Sequence, residues 1–308
     1  MLFIQTMWLL FAFSGPVFWA VSTHIDKYLV DRYFRRSDTT VLMVFTSAIG
    51  ILFLPPIAIF DSAVLKPGAG AILVMTVSGI LYMGAMLFYL RAIQREEASI
   101  VAALFQASTL FTFLLGWLFL HEKLGWSQGG GCALVVAGAL VLSQGGTFTR
   151  KKFKLRLVLL MLAATFVLAL SSVLFKFFAV ENDYWTTTFW NFLGEALFGF
   201  AILLAPDYRR QFFHLFRKHP GPVIGVNAAN ELINLGGGLG VRYAMLLAPV
   251  AVVSAIAATT TLFVFGFGIL LTLFLPKLGH EDLSRRNMIR KALGAVLISA
   301  GVALVEAL

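Results

Sequence analysis

Four polar residues interrupt an otherwise apolar stretch at a spacing that places them on one side of a helix: Asn227, Asn230, Glu231 and Asn234. The intervals i, i+3, i+4 and i+7 keep them within one narrow arc. In apolar surroundings such an arc can hold a ligand by hydrogen bonds, although Asn side chains also staple helices together. Asn191 and Glu195 repeat the device at i, i+4. Dry surroundings disfavour the charged form of a carboxyl group, which makes Glu195 and Glu231 candidates for proton coupling. Lys176, about one turn beyond Ser171 and Ser172, is a candidate to attract an anionic substrate group. Either carboxylate could instead pair with Lys176 as a buried ion pair. Trp19, Tyr82 and Gln106 are candidates to line an amphipathic cavity with them, against plain packing. Asp26 and Lys27 read as interface residues, the lysine snorkelling. Glu122 and Glu281, beside His121 and His280, read as capping or gating groups.

Different chemistries find no support in the residues. The chain has one cysteine, Cys132, so neither an internal disulfide nor a multi-cysteine metal site is available. Its five histidines never stand at i, i+4 as a metal-binding pair. Neither a phosphate loop nor a G-x-S-x-G nucleophile motif occurs. No catalytic residue, metal or cofactor is expected.

The elements that must position the polar residues follow from composition. Of 308 residues 59% are apolar and 13% charged, with a mean hydropathy of +0.88. A soluble domain carries about 25% charge, so the partner of most of this surface is a lipid bilayer. Ten windows are apolar enough to cross about 30 Å of hydrocarbon: 3–25, 40–60, 69–91, 97–120, 126–144, 155–179, 185–206, 221–245, 248–275 and 289–307. The first lacks a basic n-region and reads as a retained span. The net charge of +9 comes from Lys and Arg in short tracts between spans, which argues against nucleic acid. The odd-numbered connections hold 19 of these basic residues and the even-numbered ones 3, with Arg242 counted among the latter. Positive-inside logic then puts the odd connections in the cytoplasm and both termini outside.

An internal repeat organises the spans. Ala20-Val21-Ser22-Thr23 with Lys27 matches Ala169-Leu170-Ser171-Ser172 with Lys176 at an offset of 149. Arg91 matches Arg242 at 151, His121-Glu122 matches His280-Glu281 at 159, and Gly131 and Gly138 match Gly294 and Gly301 at 163. The order is kept while the offset grows, as a few insertions would cause. Residues 1–147 and 148–308 thus read as two five-helix copies. An odd helix number per copy forces them into opposite orientations, a signature of secondary transporters.

Several segments resemble the drug/metabolite transporter superfamily in its EamA-type branch. They are Glu96-Glu97-Ala98-Ser99, the tail Gly116-Trp117-Leu118-Phe119-Leu120-His121-Glu122-Lys123-Leu124, and Gly131 through Gly138. The resemblance implies an all-α integral membrane fold of ten helices, a transport function and cytoplasmic termini, opposite to the charge count. It also implies a proline partway along the fourth helix. Here that place reads Gln106-Ala107-Ser108-Thr109, and its counterpart in the ninth reads Ala258-Thr259-Thr260-Thr261. Hydroxyls bonding back to carbonyls are a weaker way to soften a helix.

The resulting expectation is a multi-pass protein of a bacterial inner membrane. It moves a small-molecule substrate, an organic metabolite, by alternating access with proton coupling. A homodimer is compatible with its apolar outer faces. Gly236, Gly237, Gly238 and Gly240 after the polar arc allow either close helix approach or a local break. The competing class is an integral membrane enzyme acting on a lipid-linked substrate. For it, Arg209, Arg210, His214, Arg217, Lys218 and His219 supply a basic cluster with Asp207 as its one acidic neighbour.

Overall fold

The computed structural model describes residues 2–32, 40–93, 105, 107–123, 125–143, 155–218, 221–274 and 284–306. Among these residues the chain is helical throughout, without strands. The first three helices are α1 (Leu2–Arg32), α2 (Thr40–Phe60) and α3 (Ala69–Ile93); α4 (Ala107–Phe119), α5 (Trp126–Ser143), α6 (Leu155–Glu181) and α7 (Tyr184–Leu204) follow. Next come α8 (Pro206–Lys218), a π-helical turn at Gly221–Val226 that runs into α9 (Asn227–Leu247), α10 (Val250–Ala257), α11 (Thr260–Phe274) and α12 (Arg285–Glu306).

Seven described segments are long and apolar enough to cross a membrane: Met7–Asp26, Thr40–Phe60, Ala69–Ala92, Val158–Glu181, Tyr184–Leu204, Val250–Phe274 and Asn287–Leu304. Ala107–Phe119 and Trp126–Val141 are shorter apolar helices. The rest of the fourth window lies largely outside the described residues. Helix α9 is 21 residues long but is not among the apolar seven, because its polar arc and Arg242 dilute it.

The structure departs from the sequence reading at two places and decides between two readings at a third. Window 248–275 is one apolar segment but two helices, α10 and α11, hinged at Ala258-Thr259. Hydroxyls do the work expected of a proline: Thr260 Oγ1 donates to the Ala257 carbonyl (2.6 Å) and Thr261 Oγ1 to that of Ala258 (3.0 Å). Second, the seventh connection is itself a helix, α8, opened by Pro206 and Asp207 and closed by Arg217 and Lys218, as a helix dipole prefers. Third, the glycine run of α9 does not break the helix. Gly237 and Gly240 instead lie against Phe18, Gly15 and Ser14 of α1, allowing close approach.

Helix α1 packs along α9, α3 along α6 and α7, α2 against α7, and α5 against α12. Apolar side chains gain little by leaving lipid for protein, so close backbone approach and hydrogen bonds must hold these crossings. At the α3–α7 crossing a Cβ on Gly79 would collide with the Asn191 carbonyl, and one on Gly194 with the Thr76 carbonyl. The α5–α12 crossing is reciprocal. A Cβ on Gly138 would meet the Gly294 carbonyl at 2.7 Å, and one on Gly301 the Gly131 carbonyl at 2.7 Å.

Candidate functional site

Four helices surround a small, partly open cavity. Helix α2 contributes Thr46, Ile49 and Gly50; α3 contributes Tyr82; α7 contributes Phe192 and Glu195. The remaining wall is α9, with Glu231, Asn234, Leu235, Gly238, Leu239 and Arg242. Gly238 meets nothing within 4 Å of a built Cβ, which keeps that wall open. The cavity is about 40 Å³, room for a few waters at roughly 10–15 Å³ of accessible volume each. A small-molecule site needs about 300 Å³ or more, so the cavity in this structure is too small to hold a metabolite.

Two carboxylates face this space in different ways. Glu195 is paired: Arg242 Nη2 donates to its Oε1 at 2.6 Å. The guanidinium also lies 5.3–5.4 Å from the ring centres of Tyr82, Phe175 and Phe192, within cation–π range. Glu231 has no cation at salt-bridge distance among the described residues. It accepts hydrogen bonds from Thr46 Oγ1 (2.6 Å) and Asn234 Nδ2 (3.4 Å) and is 5% exposed. A buried carboxyl held only by neutral donors can change its charge without breaking an ion pair. That is what exchange of a proton or a cationic group requires.

The polar arc of α9 divides between two neighbours. Glu231 and Asn234 face the cavity, whereas Asn230 Nδ2 donates to Asp26 Oδ1 of α1 at 2.7 Å. Asn227 is buried, with its Oδ1 lacking a protein partner. Asp26, read as an interface residue, therefore sits in the packing between α1 and α9. Arg242 was counted with a connection, but it lies inside α9 and pairs with Glu195. Its position was legible: it stands eight residues after Asn234 and eleven after Glu231, which returns to the same helical face. Thr46 and Phe175 carried no comparable signal.

The remaining candidates lie elsewhere. Lys176 pairs with neither Glu195 nor Glu231. Its Nζ donates to Glu122 Oε1 (2.5 Å) and to the Ala248 carbonyl (2.7 Å). The second oxygen of Glu122 accepts from the backbone N–H of Val250 (2.9 Å), one of the orphan donors that open α10. His121, at φ 53°, makes the left-handed turn after α4 that delivers Glu122 to this position, while Glu122 N–H bonds back to the Gly116 carbonyl (3.2 Å). Glu122 is thus a capping group shared by three helices. Asn191 donates to Ser78 Oγ (3.2 Å), and Ser78 and Ser171 exchange hydroxyl-to-carbonyl bonds (3.0 and 2.9 Å), so this trio ties α3, α6 and α7. Trp19 packs beside Gly15 and Gly237 in the core between α1 and α9. Tyr82 lines the cavity. Gln106 lies outside the described residues, as do Glu96-Glu97-Ala98-Ser99 and His280-Glu281.

Residues 6–144 match the EamA-like transporter family. No curated protein matches the sequence. A solved crystal structure, described only as a protein, superposes with a TM-score of 0.70 at 16% identity, covering 96% of this chain and 94% of that one. That likeness shows a shared fold over nearly the whole chain. With seven described segments long and apolar enough to cross a bilayer, this is a multi-pass membrane protein, and its residues 6–144 are similar to a transporter family.

Proposed function

We propose that this chain, whose residues 6–144 match the EamA-like transporter family, is a secondary active transporter that carries a small organic metabolite by alternating access. Its ten spans form two inverted five-helix repeats, residues 1–147 and 148–308. Proton coupling runs through Glu231, and the membrane is the bacterial inner membrane. The observation that carries this reading is the cavity. It is lined from both halves of the chain, by Thr46 and Tyr82 on one side and by Glu195, Glu231, Asn234 and Arg242 on the other. A site at the interface of two halves is where rocking of one against the other exposes it alternately.

The packing supports the repeat. Renumbering each helix by its place in its copy turns the α1–α9 contact into the α3–α6 contact, and α1–α11 into α4–α6. It also returns the glycine crossing of α5 and α12 to itself. The split of Glu231 from the Arg242–Glu195 pair supports a proton role for the former and a substrate-orienting role for the latter.

Purified protein in liposomes provides the test, with a panel of labelled metabolites and imposed proton gradients of either sign. Uptake or efflux that follows the gradient in the wild type, and no longer responds to it in Glu231→Gln, is expected. Flux equally gradient-driven in both proteins overturns the role of Glu231. Absence of flux for every solute under every gradient overturns the transport reading.

A further inference from the structure

The geometry points to a second site on this protein, at α8, which we propose holds the headgroup of an anionic phospholipid. The proposal is independent of the transport cavity. Its starting point is the way three kinds of side chain share the circumference of one short helix. Leu215 is 4% exposed and, with Tyr208 and Phe212, packs against Leu29 of α1 and Val41 and Leu42 of α2. That contact fixes the helix across the adjoining ends of α1 and α2, where span gives way to connection. On the opposite arc Arg209, Arg210, His214, Arg217 and Lys218, together with Phe213, line one open groove of about 540 Å³. Phe213, 48% exposed, stands among the basic residues, and Phe216, 42% exposed, stands between the two arcs.

Each arc asks for a different environment. A helix that only served a soluble connection would gain nothing from two exposed phenylalanines beside its arginines. A helix lying in the interface plane does gain: aromatic side chains enter the acyl boundary while the basic face meets headgroups. The charge is one-sided as well. Asp207 is the one acidic residue of α8, and it stands at the N-terminus, where the helix dipole accounts for it. Among the described residues the groove lining is therefore cationic and holds no carboxylate, and its guanidinium groups offer the forked donor geometry that suits phosphate oxygens. The same connection is among those that positive-inside logic assigns to the cytoplasm, where anionic lipids raise the attraction of basic side chains.

A lipid is favoured over a soluble phosphate by the aromatic flank, which a free ion would leave exposed. The enzyme reading of this cluster loses ground for a related reason: among the described residues the groove has no carboxylate to act as acid or base.

The test uses the full-length protein, purified in a neutral detergent and titrated with short-chain phosphatidylglycerol or phosphatidylcholine, bound lipid being counted by native mass spectrometry. Each basic residue near an anionic surface contributes about fivefold in affinity. R209Q/R210Q/R217Q/K218Q should therefore lose phosphatidylglycerol by a factor of several hundred, and the single variants R210Q and R217Q by about fivefold. R150Q/K151Q/K152Q/K154Q removes as many charges from another basic connection and should retain the lipid. Excess inorganic phosphate should not displace it. Singles provide the answer if the quadruple variant does not fold. Equal binding of the two lipids, equal loss in both quadruple variants, unchanged binding in the singles, or displacement by phosphate alone each overturns the proposal.

Discussion

Removing one member of the Arg242–Glu195 pair should be among the most damaging single changes in this protein. Side-chain exposures of 15% and 9% place the pair in the buried regime, where deleting one partner costs about 3–5 kcal/mol. An exposed pair is worth at most about 1 kcal/mol. Arg242→Met also removes the cation seated over three rings, which adds about 0.5–2 kcal/mol. A total near 5 kcal/mol, at about 2 °C per kcal/mol for a chain of this length, lowers the apparent Tm by roughly 10 °C. The protein supplies its own reporter. Cys132 is its single cysteine and is only partly accessible, so a thiol-reactive dye in a thermal ramp reads unfolding. Glu195→Leu alone should fall by a similar amount. The double variant R242M/E195L should recover at least half of the combined loss, because an apolar pair leaves no unpaired charge in the cavity wall. Arg242→Lys should behave nearer to the methionine variant than to wild type, since it loses the planar fork and the ring contacts. Single-variant losses below about 1 kcal/mol, or a double variant equal to the sum of the singles, would refute the buried-pair argument.

Three further outcomes follow from the packing and the polar contacts. Gly194→Ala drives a methyl into the Thr76 carbonyl, and a loss of about 1–3 kcal/mol is expected in the same thermal assay; Gly238→Ala, facing open space, should leave Tm unchanged while altering flux. Glu122→Ala removes the α10 cap and the Lys176 partner together, whereas Glu122→Gln keeps an acceptor for Val250 N–H. The alanine variant should therefore unfold at the lower temperature, separated by about 1–3 kcal/mol. Replacing Thr260 and Thr261 by valine removes both back-bonds at the α10–α11 hinge. A spin-label pair spanning that hinge should report a straighter segment.

Much of this arrangement could be read from residue order, and the exceptions have physical causes. Apolar length sufficed for α2, α3, α6 and α7, since a lipid-facing helix needs little beyond apolar length. The polar arc was visible as a helical face, but not its division. Which side of a narrow arc meets α1 at Asp26 and which meets α2 at Thr46 depends on a rotation of α9 of a few tens of degrees. Periodicity does not encode that rotation. Arg242 was misplaced because charge near the end of a window reads as connection, although it continues the arc of Glu231 and Asn234. Lys176 found its carboxylate at Glu122, fifty-four residues earlier in the chain. Nothing in local spacing favours that partner over Glu195. The hinge at Ala258-Thr259 came from hydroxyls whose back-bonding is a matter of rotamer, so the sequence permitted it without requiring it.

The central claim is that the substrate occupies the cavity between α2, α3, α7 and α9, and a ligand thermal-shift screen tests it most directly. Wild-type protein is scanned against a metabolite library, and each stabilising compound is rerun on Glu231→Gln, Tyr82→Ala and Ser78→Ala. A ligand at one hundred times its Kd stabilises by about 2.7 kcal/mol. That shift should appear in wild type and in Ser78→Ala, whose hydroxyl ties helices away from the cavity, and should vanish in the two cavity variants. A ligand that stabilises all four proteins alike would contradict the assignment and move the binding site out of this cavity.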